Sequence, residues 1–323
     1  MQRFAICAAV AAIGALLVAQ NAPAQSASQI ARSTRFIVPS TSGATPDILA
    51  RLLADRLAPQ HTLIIENRPG ATGLVGNEQL ARAATDGSAI GMVWMGTTIA
   101  FQLAAKPPVD LVRELVPVTR LVWSYNVLVV PANSSLRTLQ DVIAAARRDP
   151  GKLTFASGGN GTPAHVIGEF FKRTAAIDML HVPFKGPTPG VMAVTGEQVD
   201  MMFSAVAAVA SLIKSGRLRA IVVTAPARLA SFPDIPTVSE SGMPALVVRD
   251  WIGLVAPRNT PEASIQTWRS EFARALASPG LNERLAQLGL EAAPSSPGEF
   301  GVQIESELQR WKAVIKDANL TAD

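Results

Sequence analysis

The sequence predicts an α/β protein of two lobes, each built on a mostly parallel sheet flanked by helices. Short apolar runs with strand character alternate with helical patterns along nearly the whole chain, which is typical of parallel sheets covered on both faces. Two extended segments, 119–131 and 246–257, mark where the chain would leave the first lobe and later return to it. Two such crossings predict a pair of hinges, and hinge closure is a common way to enclose a ligand.

The spacing of apolar residues defines the elements. Over 48–57 the apolar residues recur every three to four positions, while Asp47, Arg51 and Asp55 stand four apart on another face of the predicted helix. The predicted strands are 35–38, 62–65, 89–93, 127–130, 153–156, 180–184, 199–203 and 218–224. The predicted helices are 48–57, 74–84, 139–147, 164–174, 191–195, 206–214, 261–277, 281–288 and 297–318. The last helix carries five large apolar residues that we expect to cover a core, namely Phe300, Ile304, Leu308, Trp311 and Ile315.

The first 24 residues have the pattern of a cleavable secretory leader. Arg3 precedes an apolar stretch over 4–19, and the small residues Ala22 and Ala24 close the segment. We therefore predict cleavage after Ala24 and a periplasmic location; a membrane anchor is disfavoured because the apolar stretch is short. Cys7 is the single cysteine and falls inside the leader, so disulfides, thiol catalysis and cysteine metal sites are not expected.

Composition limits the classes of partner. The chain carries 29 Lys and Arg against 25 Asp and Glu, a formal net charge of +4. These basic residues are scattered, which favours a solvated surface over a nucleic-acid interface. We expect a monomer with the leader at 1–24, a discontinuous first lobe at 25–126 and 252–323, and a second lobe at 127–251.

Two strand–loop–helix units carry the strongest functional signal. In the first, STSGAT at 40–45 follows a strand and leads to Pro46; in the second, SGGNGT at 157–162 leads to Pro163. Threonine before proline favours a helix start, because threonine caps the helix and proline lacks an N–H that would have no partner there. Such junctions direct backbone N–H groups and the positive helix end at one point, which suits an anion. One loop in each lobe predicts a clamp around an acid.

Enzymatic and metal-dependent alternatives have weaker support. Ser157 and His165 are close in sequence, and Asp47 or Asp200 completes a hydrolase triad on paper, but no G-x-S-x-G motif surrounds Ser157. Neither H-E-x-x-H nor a Gly-Lys-Ser or Gly-Lys-Thr loop occurs at these positions. We therefore expect no catalytic residue, no metal and no cofactor.

A series of motifs in a fixed order points to one known family. They are VP at 38–39 with Gly43 and Asp47, ENRPGA at 66–71, TDG at 85–87, SGGNGT at 157–162 with His165, HVPFKG at 181–186, GEQVD at 196–200 and FPDIPTVSESG at 232–242. By their order and spacing, over essentially all of the mature chain, the sequence resembles the Bug (TctC-like) solute receptors. These are the extracytoplasmic binding subunits of tripartite tricarboxylate transporters.

The resemblance implies the two-lobed fold of type II periplasmic binding proteins. It also implies a small carboxylate ligand (a di- or tricarboxylate, an acidic amino acid or an aromatic acid) held by backbone N–H groups, hydroxyls and water rather than by an arginine. The implied partners are integral-membrane transporter subunits, with a signalling partner as the alternative that the sequence does not separate. The implied ligand contacts are Ser42, Gly43, Ala44 and Thr45 in the first lobe, and Ser157, Asn160, Gly161 and Thr162 in the second.

Four further residues complete the expected binding set, and each has an alternative. Asp47 either orients water in the site or is a first-turn acid paired with Arg51. His165 either reaches the ligand or bonds to its neighbours at the helix start. Thr97 follows the third predicted strand and Ser204 ends a strand of the second lobe, so both are candidates for the cleft wall.

The first loop departs from the pattern of this family at two positions. Ser40 stands where an aromatic residue is common, and Ala44 stands where a second glycine is usual. Because a Cβ disfavours a positive φ, we expect the backbone at Ala44 to differ from that of a glycine.

Overall fold

The computed structural model describes residues 33–317. The predicted leader at 1–24 and its cleavage point after Ala24 lie outside this range. Within the range, no helix is both long and apolar enough to cross a membrane.

Strands and helices alternate along the described chain. The strands are β1 (Ser33–Val38), β2 (Thr62–Asn67), β3 (Ala89–Trp94), β4 (Leu115–Ser124), β5 (Asn126–Pro131), β6 (Thr154–Ser157), β7 (Leu180–Pro183), β8 (Met201–Ala205), β9 (Leu218–Val223), β10 (Asp250–Pro257) and β11 (Leu290–Ala292). The helices are α1 (Thr45–Leu57), α2 (Leu74–Ala81), α3 (Met95–Leu103), α4 (Leu139–Arg148), α5 (Pro163–Ala175), α6 (Pro187–Thr195), α7 (Val206–Lys214), α8 (Glu262–Leu276), α9 (Pro279–Gln287) and α10 (Pro297–Asp317).

Each strand and helix that the sequence predicts is present, with ends shifted by up to four residues. The extended segments at 119–131 and 246–257 contain β5, β10 and most of β4. The helix expected at 191–195 begins earlier, at Pro187, because proline is favoured in the first helical turn. The sequence does not predict α3 or the short strand β11. Helix α3 contains a glycine and two threonines of low helix propensity, so packing rather than propensity stabilises it.

The two sheets are mixed in direction. The strand order is β11-β4-β10-β3-β1-β2 in the first sheet and β7-β6-β8-β5-β9 in the second. β1 pairs in parallel with β2 and β3, and β6 pairs in parallel with β7 and β8. β5 and β10 are antiparallel to both of their neighbours, and β11 is antiparallel to β4. The two-lobed α/β fold is confirmed, and the expectation of mostly parallel sheets is corrected at β5, β10 and β11. β5 and β10 run in reverse because each enters its sheet from the other lobe.

The strand register brings the ends of many strands to one level. β10 begins at Asp250, which pairs with Ser124 at the end of β4, and β5 begins at Asn126, which pairs with Ala205 at the end of β8. Tyr125 alone separates β4 from β5. Because β5 and β10 oppose all their neighbours, the carboxyl ends of β1–β4 and of β6–β9 lie beside the crossings between the lobes. We call this side of each sheet the hinge edge.

Three apolar clusters form the core. One packs α1 and α8 on the first sheet around Phe36 and Trp268, and another packs α6 and α7 on the second sheet. The third runs through both lobes and includes Trp251 of the first sheet and Phe171 on α5. It also contains the predicted apolar stripe of the last helix, which is buried as expected: Phe300, Ile304, Leu308, Trp311 and Ile315. The lobes therefore share apolar packing beside the hinge.

Candidate functional site

The first loop (residues 40–45) joins β1 to α1 at the hinge edge. Gly43 has a φ of +79°, and a Cβ there would meet nothing within 4 Å, so the backbone conformation rather than space favours glycine. Ala44 has a φ of −74°, which suits any residue, so alanine fits this loop without strain. Ser42 and Gly43 are exposed and Thr45 is half-buried. The loop thus presents its predicted residues at the surface of the hinge edge.

Asp47 holds the first loop from within. Its side chain is 2% exposed and accepts hydrogen bonds from the Gly43 N–H (2.8 Å), Asn67 Nδ2 (2.9 Å) and Arg51 Nε (3.0 Å). Burial acts to raise the pKa of the Asp47 carboxyl, but the hydrogen bonds from Arg51, Gly43 and Asn67 outweigh it and keep this pKa below its ordinary value. Of the two roles that the sequence allows, the geometry supports the pairing with Arg51.

A neighbouring loop over 68–73 adjoins the first loop and lies outside the binding set expected from the sequence: the Arg68 N–H donates to the Val38 carbonyl (2.9 Å), and Asn67 Nδ2 donates to the Ser40 carbonyl (3.2 Å). Four consecutive residues have positive φ: Gly70 (+134°), Ala71 (+43°), Thr72 (+50°) and Gly73 (+103°). For the alanine and the threonine this conformation costs about 1–2 kcal/mol each. Such strain concentrates at functional sites. Gly70 within the ENRPGA motif and Gly73 just after it are the sequence signal for this conformation.

Thr97 and Ser204 have different surroundings. Thr97 is fully buried, and its Oγ1 donates to the Thr72 carbonyl (3.3 Å), so it supports the strained loop from below. Ser204 lies near the end of β8, is 3% exposed, and has an Oγ without a hydrogen-bond partner among the described residues. A buried hydroxyl without a partner costs about 1–3 kcal/mol. Ser204 is therefore a place at the hinge edge where a ligand or water would complete a hydrogen bond.

The second loop (residues 157–162) joins β6 to α5 at the hinge edge of the other sheet. Ser157 is fully buried, its Oγ accepts the Gly159 N–H (3.0 Å), and it lies 2.6 Å from His181 Nε2. The Thr162 hydroxyl donates to the Gly159 carbonyl (2.7 Å). Both hydroxyls are therefore engaged within the loop and its support, while the half-buried Asn160 lies at the turn between them.

His165 bonds to its own loop. Its Nδ1 accepts the Gly161 N–H (3.1 Å), and its ring stacks on that of His181 with centroids 4.0 Å apart and 13° between the planes. This geometry supports the alternative in which His165 bonds to its neighbours. The imidazole that contacts Ser157 belongs to His181, so the triad of Ser157 with His165 is not formed. Among residues 33–317, no group of three or more His, Cys, Asp or Glu side chains is arranged to hold a metal ion.

The two lobes touch beside the second loop. A Cβ on Gly161 would clash with Leu103 Cδ1 at the end of α3, and one on Gly289 would lie 2.5 Å from Val206 Cγ1 at the start of α7. The second loop thus contacts the first lobe through Gly161. The packing of the two lobes against each other therefore depends on the conformation of the second loop.

The positive potential at the two loops comes mainly from the backbone, since Arg51 beside the first loop is paired with Asp47. Neither loop contains a lysine or arginine. Six helices begin within seven residues of strands that end at the hinge edge, namely α1, α2, α3, α5, α6 and α7. Their N-terminal turns supply N–H groups without intrahelical partners and a partial positive charge. The arrangement can therefore bind an anion without a basic side chain.

Comparison with curated proteins gives a consistent result. Residues 49–320 match the model of the tripartite tricarboxylate transporter family receptor, TctC. Protein BugT of Bordetella pertussis is 32% identical over 302 residues, which cover 92% of this chain and 92% of BugT. A UPF0065 protein from the tcbD-tcbE intergenic region of a Pseudomonas species is 32% identical over 295 residues, which cover 90% of this chain and 88% of that protein.

Solved structures agree with these matches. The periplasmic binding protein BugD has a TM-score of 0.82 at 27% identity, covering 90% of this chain and 99% of its own. Rpa4515 of R. palustris with adipate has a TM-score of 0.84 at 27% identity, covering 90% and 98%. MatC of Rhodopseudomonas palustris with bound malate has a TM-score of 0.80 at 28% identity, covering 88% and 99%. The chain therefore belongs to the TctC (Bug) family of tripartite tricarboxylate transporter receptors, which are periplasmic solute-binding proteins.

Proposed function

We propose that this chain is an extracytoplasmic receptor that captures a small carboxylate between its lobes and delivers it to the membrane subunits of a transporter. The observation that carries the proposal is the pair of glycine loops at the hinge edge, one in each lobe, each leading into a helix of 13 residues. The N–H groups of Gly43, Gly159 and Gly161 are already donated within the protein. The positive ends of the two helices and the N–H groups of their first turns therefore favour a negative charge here. The adipate and malate bound to two relatives support a carboxylate as the ligand class.

In this proposal the ligand bridges the lobes. One carboxylate meets the first loop at Ser42–Thr45, and the other end of the ligand meets the second loop near Asn160. Charge-assisted hydrogen bonds contribute about 1.5–3 kcal/mol each. Three or four of them, less the cost of closure, give about −8 kcal/mol, which corresponds to micromolar binding.

Closure and export belong to the same proposal. The lobe formed by 25–126 and 252–323 would rotate against the lobe at 127–251, with Tyr125 and the start of β10 at the two crossings. The leader at 1–24 would direct the chain to the periplasm. Both parts are supported by the membership of a family of periplasmic receptors.

A ligand screen tests the proposal. The exported protein, purified from the periplasm, is examined by thermal shift and then calorimetry against adipate, malate and other di- and tricarboxylates, with amines and neutral sugars as controls. A ligand at one hundred times its Kd adds about 2.7 kcal/mol to the free energy of unfolding, which raises the Tm measurably. A shift with acids alone supports the carboxylate receptor. A shift with amines or sugars and with no acid would contradict it.

A further inference from the structure

Both loops are locked by the same kind of contact. The Gly43 N–H donates to Asp47 Oδ2 at 2.8 Å, and the Gly161 N–H donates to His165 Nδ1 at 3.1 Å. In each case the glycine has a positive φ (+79° and +73°), and the acceptor lies four residues later, at the third position of the following helix. In each lobe, a side chain of the following helix therefore fixes a glycine N–H of the loop, and we call this contact the lock of that loop. The acceptor is a carboxylate in the first lobe and an imidazole in the second.

The two acceptors respond differently to protons. The pKa of the Asp47 carboxyl lies below its ordinary value, so this group stays an acceptor in mild acid. The His165 imidazole accepts at Nδ1 only while that nitrogen is unprotonated. A proton there would turn the acceptor into a donor that faces the Gly161 N–H. Since imidazoles commonly titrate between pH 5 and 8, the second lock is the one exposed to physiological changes of pH.

We propose that His165 is a proton-sensitive positioning residue of the receptor. When neutral, it holds the second loop in the shape that binds a carboxylate; when protonated at Nδ1, it releases Gly161 and weakens binding. Because Gly161 also carries the contact to Leu103, release of the loop loosens the fit between the lobes. The inference rests on the proposed function for its effect on affinity, while the effect on the loop stands independently of any ligand.

His181 is the closest titratable neighbour of this lock. Its ring stacks on His165 at 4.0 Å and lies against Phe155 at 4.9 Å, with Nε2 beside the Ser157 hydroxyl. A proton on His181 Nε2 can be donated to that hydroxyl, so charging His181 does not by itself break the Gly161 contact. Two charged rings at this distance would repel each other. The lock therefore depends on the protonation of His165.

The surrounding charges are already engaged in part. The elements packed around the two rings, and the residues flanking them, carry the following charged side chains: Glu169, Lys172 and Arg173 on α5, Asp178 and Lys185 on either side of β7, and Asp200 before β8. Glu169 pairs with Lys172 at 3.2 Å, and Asp200 accepts the Thr154 N–H at 2.8 Å. The charge of Glu169 is thus balanced by Lys172, whereas Asp200 keeps its charge and is held by the start of β6.

The first test needs no ligand. Amide hydrogen exchange of Gly161 is measured by NMR between pH 5 and 8, corrected for the intrinsic rate, in the wild-type protein and in His165→Asn, which keeps a neutral acceptor. We expect Gly161 protection to fall about five- to tenfold in acid in the wild type and to stay level in the variant. Gly43, held by Asp47, is the internal control and should stay level in both. Protection of Gly161 that does not depend on pH, or that falls equally in the variant, would overturn the proposal. If the variant fails to fold, the comparison of Gly161 with Gly43 in the wild type decides.

The second test measures affinity for adipate and malate by calorimetry. Wild type and His165→Asn are compared at each pH, because the comparison at equal pH cancels the ionisation of the ligand. We expect the ratio of their Kd values to change about five- to tenfold in acid, in favour of the variant. His61→Asn is the matched control, since His61 lies against Trp268 on the far side of the first lobe, and it should follow the wild type. A constant ratio would contradict the effect on binding. Absence of binding at every pH would contradict the proposed ligand class, and the exchange of Gly161 would still test the lock.

Discussion

Replacement of Asp250 by asparagine is expected to stabilise the protein at neutral and alkaline pH. Asp250 begins β10 beside the crossing between the lobes and is 9% exposed. Burial raises the pKa of its carboxyl to about 7, although the Trp251 N–H, which donates to Oδ1 at 2.7 Å, acts in the opposite direction. The ionised Asp250 carboxylate is therefore less well solvated in the folded protein than in the unfolded chain.

The size of the effect follows from the shift in pKa. The ordinary pKa of an aspartate is 3.8, and a rise to about 7 at 1.36 kcal/mol per pKa unit corresponds to at most about 4 kcal/mol. The folded protein keeps this proton to a higher pH than the unfolded chain does. The contribution of the protonated Asp250 to the free energy of unfolding is therefore fully present below about pH 4. It decreases as the pH rises and is lost once the pH has passed about 7. Asparagine imitates the protonated acid and does not titrate.

Urea unfolding between pH 5 and 8 measures this difference. The free energy of unfolding of Asp250→Asn minus that of the wild type should grow by about 2–3 kcal/mol over this range. Asp234→Asn, which changes an exposed carboxylate of the second lobe, is the control and should run parallel to the wild type. Parallel curves for Asp250→Asn and the wild type would refute the argument from burial.

Three further substitutions test the packing and the first loop. Gly253→Ala would place a methyl group against the Phe300 ring and should lower the free energy of unfolding by about 1–3 kcal/mol in urea, whereas Gly280→Ala has open space and should not. Gly43→Asp should abolish carboxylate binding in calorimetry because it places a negative charge at the proposed anion site. The control Gly43→Ala should lower the free energy of unfolding by backbone strain alone, about 1–2 kcal/mol. Strong carboxylate binding by the aspartate variant would argue against the site. Asp47→Asn should lower the free energy of unfolding by about 1–3 kcal/mol, because a buried side chain loses the carboxylate that accepts from the Gly43 N–H, Asn67 Nδ2 and Arg51 Nε. An unchanged urea midpoint would show that these contacts do not contribute to stability.

The parts of the site that the sequence predicts are those that depend on neighbours in the chain. The glycine loops at 40–45 and 157–162 and the proline-opened helices after them follow from residues within a few positions of each other. The strained loop at 68–73 is not predicted, because the positive φ of Ala71 and Thr72 depends on its packing against α3. Local propensity alone would place neither residue in that conformation.

The roles of individual polar side chains likewise divide into those set by neighbours in the chain and those set by residues distant in the sequence. The pairing of Asp47 with Arg51 is one of two roles that the sequence allows, because four residues span one helical turn. The contact of Ser157 with His181 joins residues 24 apart, and that of Asn67 with Asp47 joins residues 20 apart. Such partners become neighbours only when separate strands pair, so the sequence cannot assign them.

By itself, the sequence determined the two-lobed α/β class, most of the helices and strands, both loops and the family. These features are written in short-range patterns of apolar, glycine and proline residues, and in the order of motifs along the chain. The tertiary structure decided the reversed direction of β5 and β10, the contact of Gly161 with Leu103, and the burial that raises the pKa of Asp250. Each of these depends on which distant segments share a sheet or a core, and that is fixed only when the whole chain packs.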